Sequence, residues 1–270
     1  MSEVNFGAGA TPVETAAPET AAVPQNESQV PDTTGAGAVA RPLAADYIPG
    51  FRDVILPALN IAHPVGEIGK TFPHGSIVYD NRVVLFAPPD IDTATGTVRR
   101  AALPPCIVTF LGIETPRYAE KVAGGARGIV VNTEQAVTAS GGTLDYGEWS
   151  LKKAQGMKYF VPTVRAMVAI QRPEHVADDG ALFVHEVNGL KYALAFWSFK
   201  ASAYTAACKR VVFPAKLTGC LQKGYPAFSF AASTKLTPFQ GGNFAWLPVL
   251  VPAKASTPEF LAFADKVLKG

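Results

Sequence analysis

Three features of the 270-residue sequence predict a mainly β fold of the α+β class, a barrel or sandwich with a few added helices. Short apolar runs rich in Val, Ile, Phe and Tyr recur along the chain. Pro, Gly and Asn/Asp clusters separate them, and only a few segments carry apolar residues at helical spacing. With 48% hydrophobic and 10% aromatic residues, the chain can bury a substantial core.

The elements follow in chain order. Residues 1–45 are rich in Ala, Pro and Thr with one aromatic, Phe6, and are predicted to be a disordered tail, because so little apolar surface cannot offset the entropy of ordering. Residues 46–270 form the globular, β-rich domain. Asp53 to Ile61, Ser76 to Asp80 and Arg82 to Ala87 read as strands, with Asp80-Asn81 a turn between the last two. The run "PPCIVTFLGIE" is a further strand. Beyond the glycine-rich "GGARG" (Gly124 to Gly128), a short helix is predicted around Thr133 to Thr138 and a long strand from Tyr159 to Ile170. Asn188-Gly189, flanked by apolar residues, is the preferred two-residue turn of a β-hairpin. Lys200 to Phe213 reads as a helix with Ser202 as N-cap and Tyr204, Ala207, Cys208 and Val211 on one face, leaving Lys209 and Arg210 on the other. "AFSFAASTKLT" and "NFAWLPVLV" are strands. A closing helix has Thr257 as N-cap, Pro258 in its first turn, and Phe260, Leu261, Ala264 and Leu268 facing inward.

Charge is unevenly distributed. The tail holds five carboxylates against Arg41, a net −4, so the body carries +6 of the chain's overall +2. Between Glu186 and Glu259, residues 187–258 contain eight cations and no Asp or Glu, where about six would be expected at the chain's own density. The same stretch is dense in rings. Cations that displace counterions and rings that stack on exposed bases are what single-stranded nucleic acid requires, and carboxylates would repel its backbone. Lys200, Lys209, Arg210, Lys216, Lys223 and Lys235 are the candidate phosphate contacts; Trp197, Tyr204, Tyr225 and Phe239 are the candidate stacking rings. In "AFWSF" alternate residues point to opposite faces, of which one is expected to be buried. Arg127 in "GGARG", with Arg117 and Lys121, is a secondary backbone-binding candidate. Most of the remaining rings are expected to pack the core.

Other classes lack support. Cys106, Cys208 and Cys220 show no CxxC or Cys/His spacing, so neither a disulfide framework nor a zinc site is expected, and a reducing compartment fits. His63, His74, His175 and His185 are scattered, no serine lies in a GxSxG elbow, and "GGARG" lacks the Lys-Ser/Thr ending of a P-loop. No catalytic residue, metal or cofactor is expected. "LDYGEW" (Leu144 to Trp149) reads as a solvated turn able to contact a partner. Neither a signal peptide nor a membrane span is evident.

Two passages carry a resemblance. "DVILPALNIAHPVGEIGKTFPHGSIVYDNRVVL", with its Pro57-x-Leu59-x-Ile61 opening and Gly75-x-Ile77 strand, and "FKASAYTAACKRVV" followed by the aromatic hairpin from Gly224, resemble small tailed-phage proteins. Some of these are single-stranded DNA-binding proteins. The resemblance implies an OB-like barrel with added helices, acting in phage DNA replication or recombination in the cytoplasm of an infected bacterial host. It also implies single-stranded DNA as partner. Such proteins commonly recruit replication or recombination proteins through an acidic C-terminal tail; here that role is expected of the acidic N-terminal one. A homo-oligomer is compatible with the sequence. The alternative expectation is a virion structural or assembly protein that uses the basic, aromatic region as a protein interface.

Overall fold

A computed structural model describes residues 55–92, 94–122, 128–178, 180–218, 224–239 and 242–269. The tail at 1–45, Arg127, Cys220 and Lys223 lie outside these residues. The chain opens with β1 (Ala58–Ile61), α1 (Glu67–Thr71) and the strands β2 (Ile77–Tyr79) and β3 (Val83–Phe86), then the small separate pair β4 (Asp90–Ile91) and β5 (Val98–Arg100). There follow β6 (Cys106–Ile113), β7 (Arg117–Glu120), β8 (Val130–Val131), α2 (Glu134–Ala139), β9 (Gly142–Thr143), α3 (Tyr146–Lys152) and the long β10 (Lys158–Gln171). Next come β11 (His185–Val187) and β12 (Leu190–Lys200), then a helical segment of α4 (Ala201–Tyr204), a π-helical stretch (Thr205–Val212) and α5 (Phe213–Thr218). The hairpin β13 (Phe228–Pro238) and β14 (Phe244–Ala255) and the helix α6 (Pro258–Lys269) complete the fold.

The fold is mainly β with some helices. Eight strands in the order β14-β13-β6-β10-β12-β1-β2-β3 make one strongly curled mixed half-barrel. β6, β10 and β12 pair antiparallel in succession, and β13 returns after the helical segment to pair antiparallel with β6. That is the Greek-key order, fourth strand beside the first. Every pair from β12 round to β14 is antiparallel, so β14 runs parallel to β12. Between them in the curl sits β1, parallel to β12 through Ala58↔Phe196 and Leu59↔Trp197.

Side-chain alternation explains the core. One cluster takes Val164, Ala166, Val168 and Ile170 from β10, Ala193, Ala195, Trp197 and Phe199 from β12, and residues of the other six strands, so it fills the enclosed face of the curl. Phe110 packs edge-on against Phe230, with centroids 5.7 Å apart. The intervening residues Leu111, Met167, Ala169, Tyr192 and Phe196 form a second cluster on the outer face beneath Phe260 and Ala264 of α6. Both faces of "AFWSF" are therefore buried up to Phe199 except at Ser198, because α6 covers the face expected to be open.

Local signals hold at the turns. Asp80 and Asn81 (φ 51 and 53) and Asn188 and Gly189 (φ 51 and 73) take the left-handed conformation of type I′ hairpin turns. Thr133 and Thr257 cap their helices, accepting from the amides of Ala136 and Phe260. Two helical details differ from expectation. The segment after β12 starts at Ala201, two residues earlier than a Ser202 cap implies, with Lys200 in the cap position, and its π-helical turns bury Val212 with Tyr204, Ala207 and Cys208 while Val211 packs half-buried against them. In α6 the inward residues are Phe260, Phe263, Ala264 and Val267; Leu261 and Leu268 face outward.

Both strands of the β13–β14 hairpin touch the β1–β2 connection. Thr234 Oγ1 donates to the Gly75 carbonyl at 2.5 Å, and the Trp246 ring lies over Gly75. Gly75 has φ +81, and a β-carbon there would sit 2.5 Å from the ring. Gly75→Ala is expected to destabilise the protein by more than the roughly 1–2 kcal/mol of a left-handed alanine, because the ring must also move. Chemical denaturation followed by tryptophan fluorescence measures it.

Candidate nucleic-acid interface

β7 pairs with the first half of β10 in the register Arg117↔Thr163, Tyr118↔Pro162 and Ala119↔Val161. Alternation then sends Tyr118 and Pro162 to one side of this two-stranded wall and Arg117, Ala119, Val161 and Thr163 to the other. A groove lies on each side.

The first groove, of about 390 Å3, is in the size range of ligand sites. Tyr118 and Tyr159 line one wall, Phe239 and Leu247 of the β13–β14 hairpin another, and Tyr204, Lys209 and Arg210 of the helical segment contribute the rest. Lys209 and Arg210 are exposed as expected, but the π-helical turns bring Lys209 over Tyr204, five residues earlier, instead of setting it on the opposite face. Lys209 Nζ lies 5.7 Å from the centre of the Tyr204 ring. Phe239 is 38% exposed. Tyr118 donates its hydroxyl hydrogen to Glu134 Oε1 at 3.1 Å; burial, reinforced by that bond and by the Glu134 charge, pushes its phenol up to about 12. Burial likewise raises Tyr159 and Tyr204, so all three phenols are neutral rings at physiological pH. Glu134 comes from outside the carboxylate-free run, and Tyr118 occupies one of its oxygens.

The second groove is larger, about 720 Å3, and lies over the outward residues of β7, β10 and β12 beyond the reach of the α6 contacts. Arg117, Lys121, Arg165 and Lys200 converge on it against Glu114 and Glu120. Glu114 Oε1 accepts from Arg165 Nε at 3.0 Å and its terminal nitrogen at 2.7 Å, and Arg117 lies 3.6 Å from Glu114 Oε2. The Arg165 guanidinium stacks 4.1 Å above Phe196. This groove is cationic, and no ring is among its lining residues.

Several expected site residues fall elsewhere. Trp197 is only 2% exposed and packs 4.7 Å from Phe199, and Tyr204 is 4% exposed. Neither offers a free face for stacking, because β12 turns its odd-numbered residues into the curl and the helical segment packs across it. Tyr225 is half-buried against the core with Lys216 4.4 Å from its ring, so these two engage each other. Lys235 is exposed on β13 and lines neither groove; Lys200 lines the second. Tyr118 and Tyr159 were not singled out from the sequence, since only the docking of β7 beside β10 brings them to one groove.

"LDYGEW" is not a turn but the start of α3. Asp145 Oδ1 accepts from the Glu148 amide at 2.7 Å as N-cap, and Glu148 is held below the usual carboxylate range by hydrogen bonds from Thr143 and Lys152.

Burial pushes the thiols of Cys106 and Cys208 up to about 12. Both are expected to resist a thiol reagent at about pH 8 and to react only on unfolding, checked residue by residue by mass spectrometry. Among the described residues no group of three His, Cys, Asp or Glu side chains could hold a metal, and no helix is long and apolar enough to cross a membrane. No family model, curated protein or solved structure matches the chain.

Proposed function

We propose that this protein binds single-stranded DNA without reading its sequence, on an OB-type barrel, in phage DNA replication or recombination. The observation that carries the reading is the convergence of Lys209, Arg210 and Phe239 with Tyr118 and Tyr159 on one groove, although the sequence separates these residues by up to 121 positions. Cations and ring faces side by side suit a flexible polyanion whose bases are unpaired. Connectivity supports the barrel type. The strands β6, β10, β12, β13 and β14 follow the Greek-key course of a five-stranded, partly open OB barrel, with β1 in the gap where the last strand would close on the third. OB folds bind oligonucleotides on strands two and three and on the loops after strands one and four. Here those positions are the β10–β12 face, which carries the second groove, and the β6–β10 and β13–β14 connections, which flank the first.

The acidic segment at residues 1–45 is the proposed contact for replication or recombination proteins. It adds no catalytic step, and the reading needs no cofactor. The test is fluorescence anisotropy with a labelled strand of about 30 nucleotides and its duplex at two salt concentrations. Preference for the single strand with a steep salt dependence is expected; no binding at low salt removes the reading.

One observation favours the virion structural or assembly reading. The edge strand β14 and its hairpin partner leave Leu236, Phe244 and Val251 exposed, Phe244 by 63%. A stable oligomer in the absence of DNA, disrupted by Phe244→Glu in light scattering, is the result it expects.

A further inference from the structure

The arm between β6 and β10 carries two rings, Tyr146 and Trp149, that are not among the lining residues of the first groove. Tyr146 and Trp149 lie one turn apart on α3 and meet Tyr159 at the start of β10, with centroid separations of 5.4 Å (Tyr146–Trp149), 5.5 Å (Trp149–Tyr159) and 5.7 Å (Tyr146–Tyr159). These rings are not a closed core. Tyr146 is 59% exposed, Trp149 and Tyr159 are half-buried, and the next apolar residue of the helix, Leu151, is 84% exposed. Tyr159 also lines the first groove, so the cluster continues that groove outward along the arm.

Around the rings, Lys152, Lys153 and Lys158 outnumber Asp145 and Glu148. Asp145 is committed to the helix cap, and Glu148 is bound by Thr143 and Lys152, at 2.7 and 2.9 Å. Lys153 Nζ lies 5.7 Å from the Trp149 ring, and Lys158 is close by in the chain. A ring flanked by a cation whose carboxylate neighbours are already occupied is suited to a base with its phosphate.

We infer that Tyr146 and Trp149 form an outer stacking step for an unpaired base of the strand leaving the groove over Tyr159. The inference rests on the single-stranded DNA reading and extends its footprint to the tip of the arm.

An oligothymidylate of about 16 nucleotides, the upper span of one OB-type domain, is titrated into the full chain while tryptophan fluorescence and anisotropy are followed. Wild type is expected to bind with quenching. Trp149→Phe keeps a ring and is expected to keep its affinity within about twofold while losing most of the quench, since Trp197 is buried in the core and Trp246 packs over Gly75 and lines neither groove. The double variant Tyr146→Leu/Trp149→Leu keeps apolar contact with Tyr159 and is expected to lose about five- to a hundred-fold in affinity. Wild-type affinity in the leucine variant, or a full quench in Trp149→Phe, overturns the inference and leaves the groove standing. Failure of the wild type to bind removes the groove and the arm together.

Discussion

The double variant Lys209→Ala/Arg210→Ala is expected to bind single-stranded DNA about ten- to thirtyfold more weakly than wild type near 0.1 M salt. For single strands, each neutralised phosphate contributes about 0.7 to the slope of log K against log salt, so removing two cations lowers that slope by about 1.4. At 0.1 M salt the same term corresponds to about 1.4 decades of affinity. Both side chains are exposed on the helical segment, and neither takes part in an ion pair among the described residues. The unfolding temperature should therefore hardly move. Salt-titrated anisotropy with a melting curve separates the two effects; a slope equal to the wild type's would exclude these residues from the phosphate path.

The second large effect concerns stability. Trp197→Ala is expected to cost about 3–5 kcal/mol, the range for deleting a buried large aromatic. The side chain is fully buried on the enclosed face of β12, packed against Phe199. At about 2–4 °C per kcal/mol for a domain of this size, the midpoint falls by roughly 6 to 20 °C. Set against a total stability of about 5–15 kcal/mol, that is a large share. Binding by the fraction that remains folded should be near normal, because Trp197 reaches neither groove wall beside Lys209 nor the cationic face. A stacking role would give the opposite pattern, with normal melting and weakened binding. Calorimetry and anisotropy on one preparation distinguish them.

The contrast between Trp197 and Lys209 shows how composition misleads at single residues. A run without carboxylates marks a segment, but strand alternation and the curl decide which members of it meet water. Phe239 is exposed because it lies just past the end of β13; Trp197 is buried because it faces the enclosed side of the curl between its paired strands β10 and β1. Tyr118 and Tyr159 lie outside the run, yet both line the groove. Nothing in their immediate neighbours reveals this, since it depends on the pairing of 117–120 with 160–163, which sets Tyr118 beside the start of β10, where Tyr159 lies one residue before the paired stretch.

What the sequence determined alone is local. The Asn188-Gly189 and Asp80-Asn81 turns, the Thr133 and Thr257 caps, the β-rich class and the outward placement of Lys209 and Arg210 follow from steric preference and periodicity within a few residues. Tertiary structure decided the rest: β1 wedged beside β12, α6 sealing half of the outer face, and two grooves back to back across the β7–β10 wall. The physical reason is that a strand's alternation defines two faces but does not say which of them another element will cover, and that choice is made by strand order and curl across distant parts of the chain.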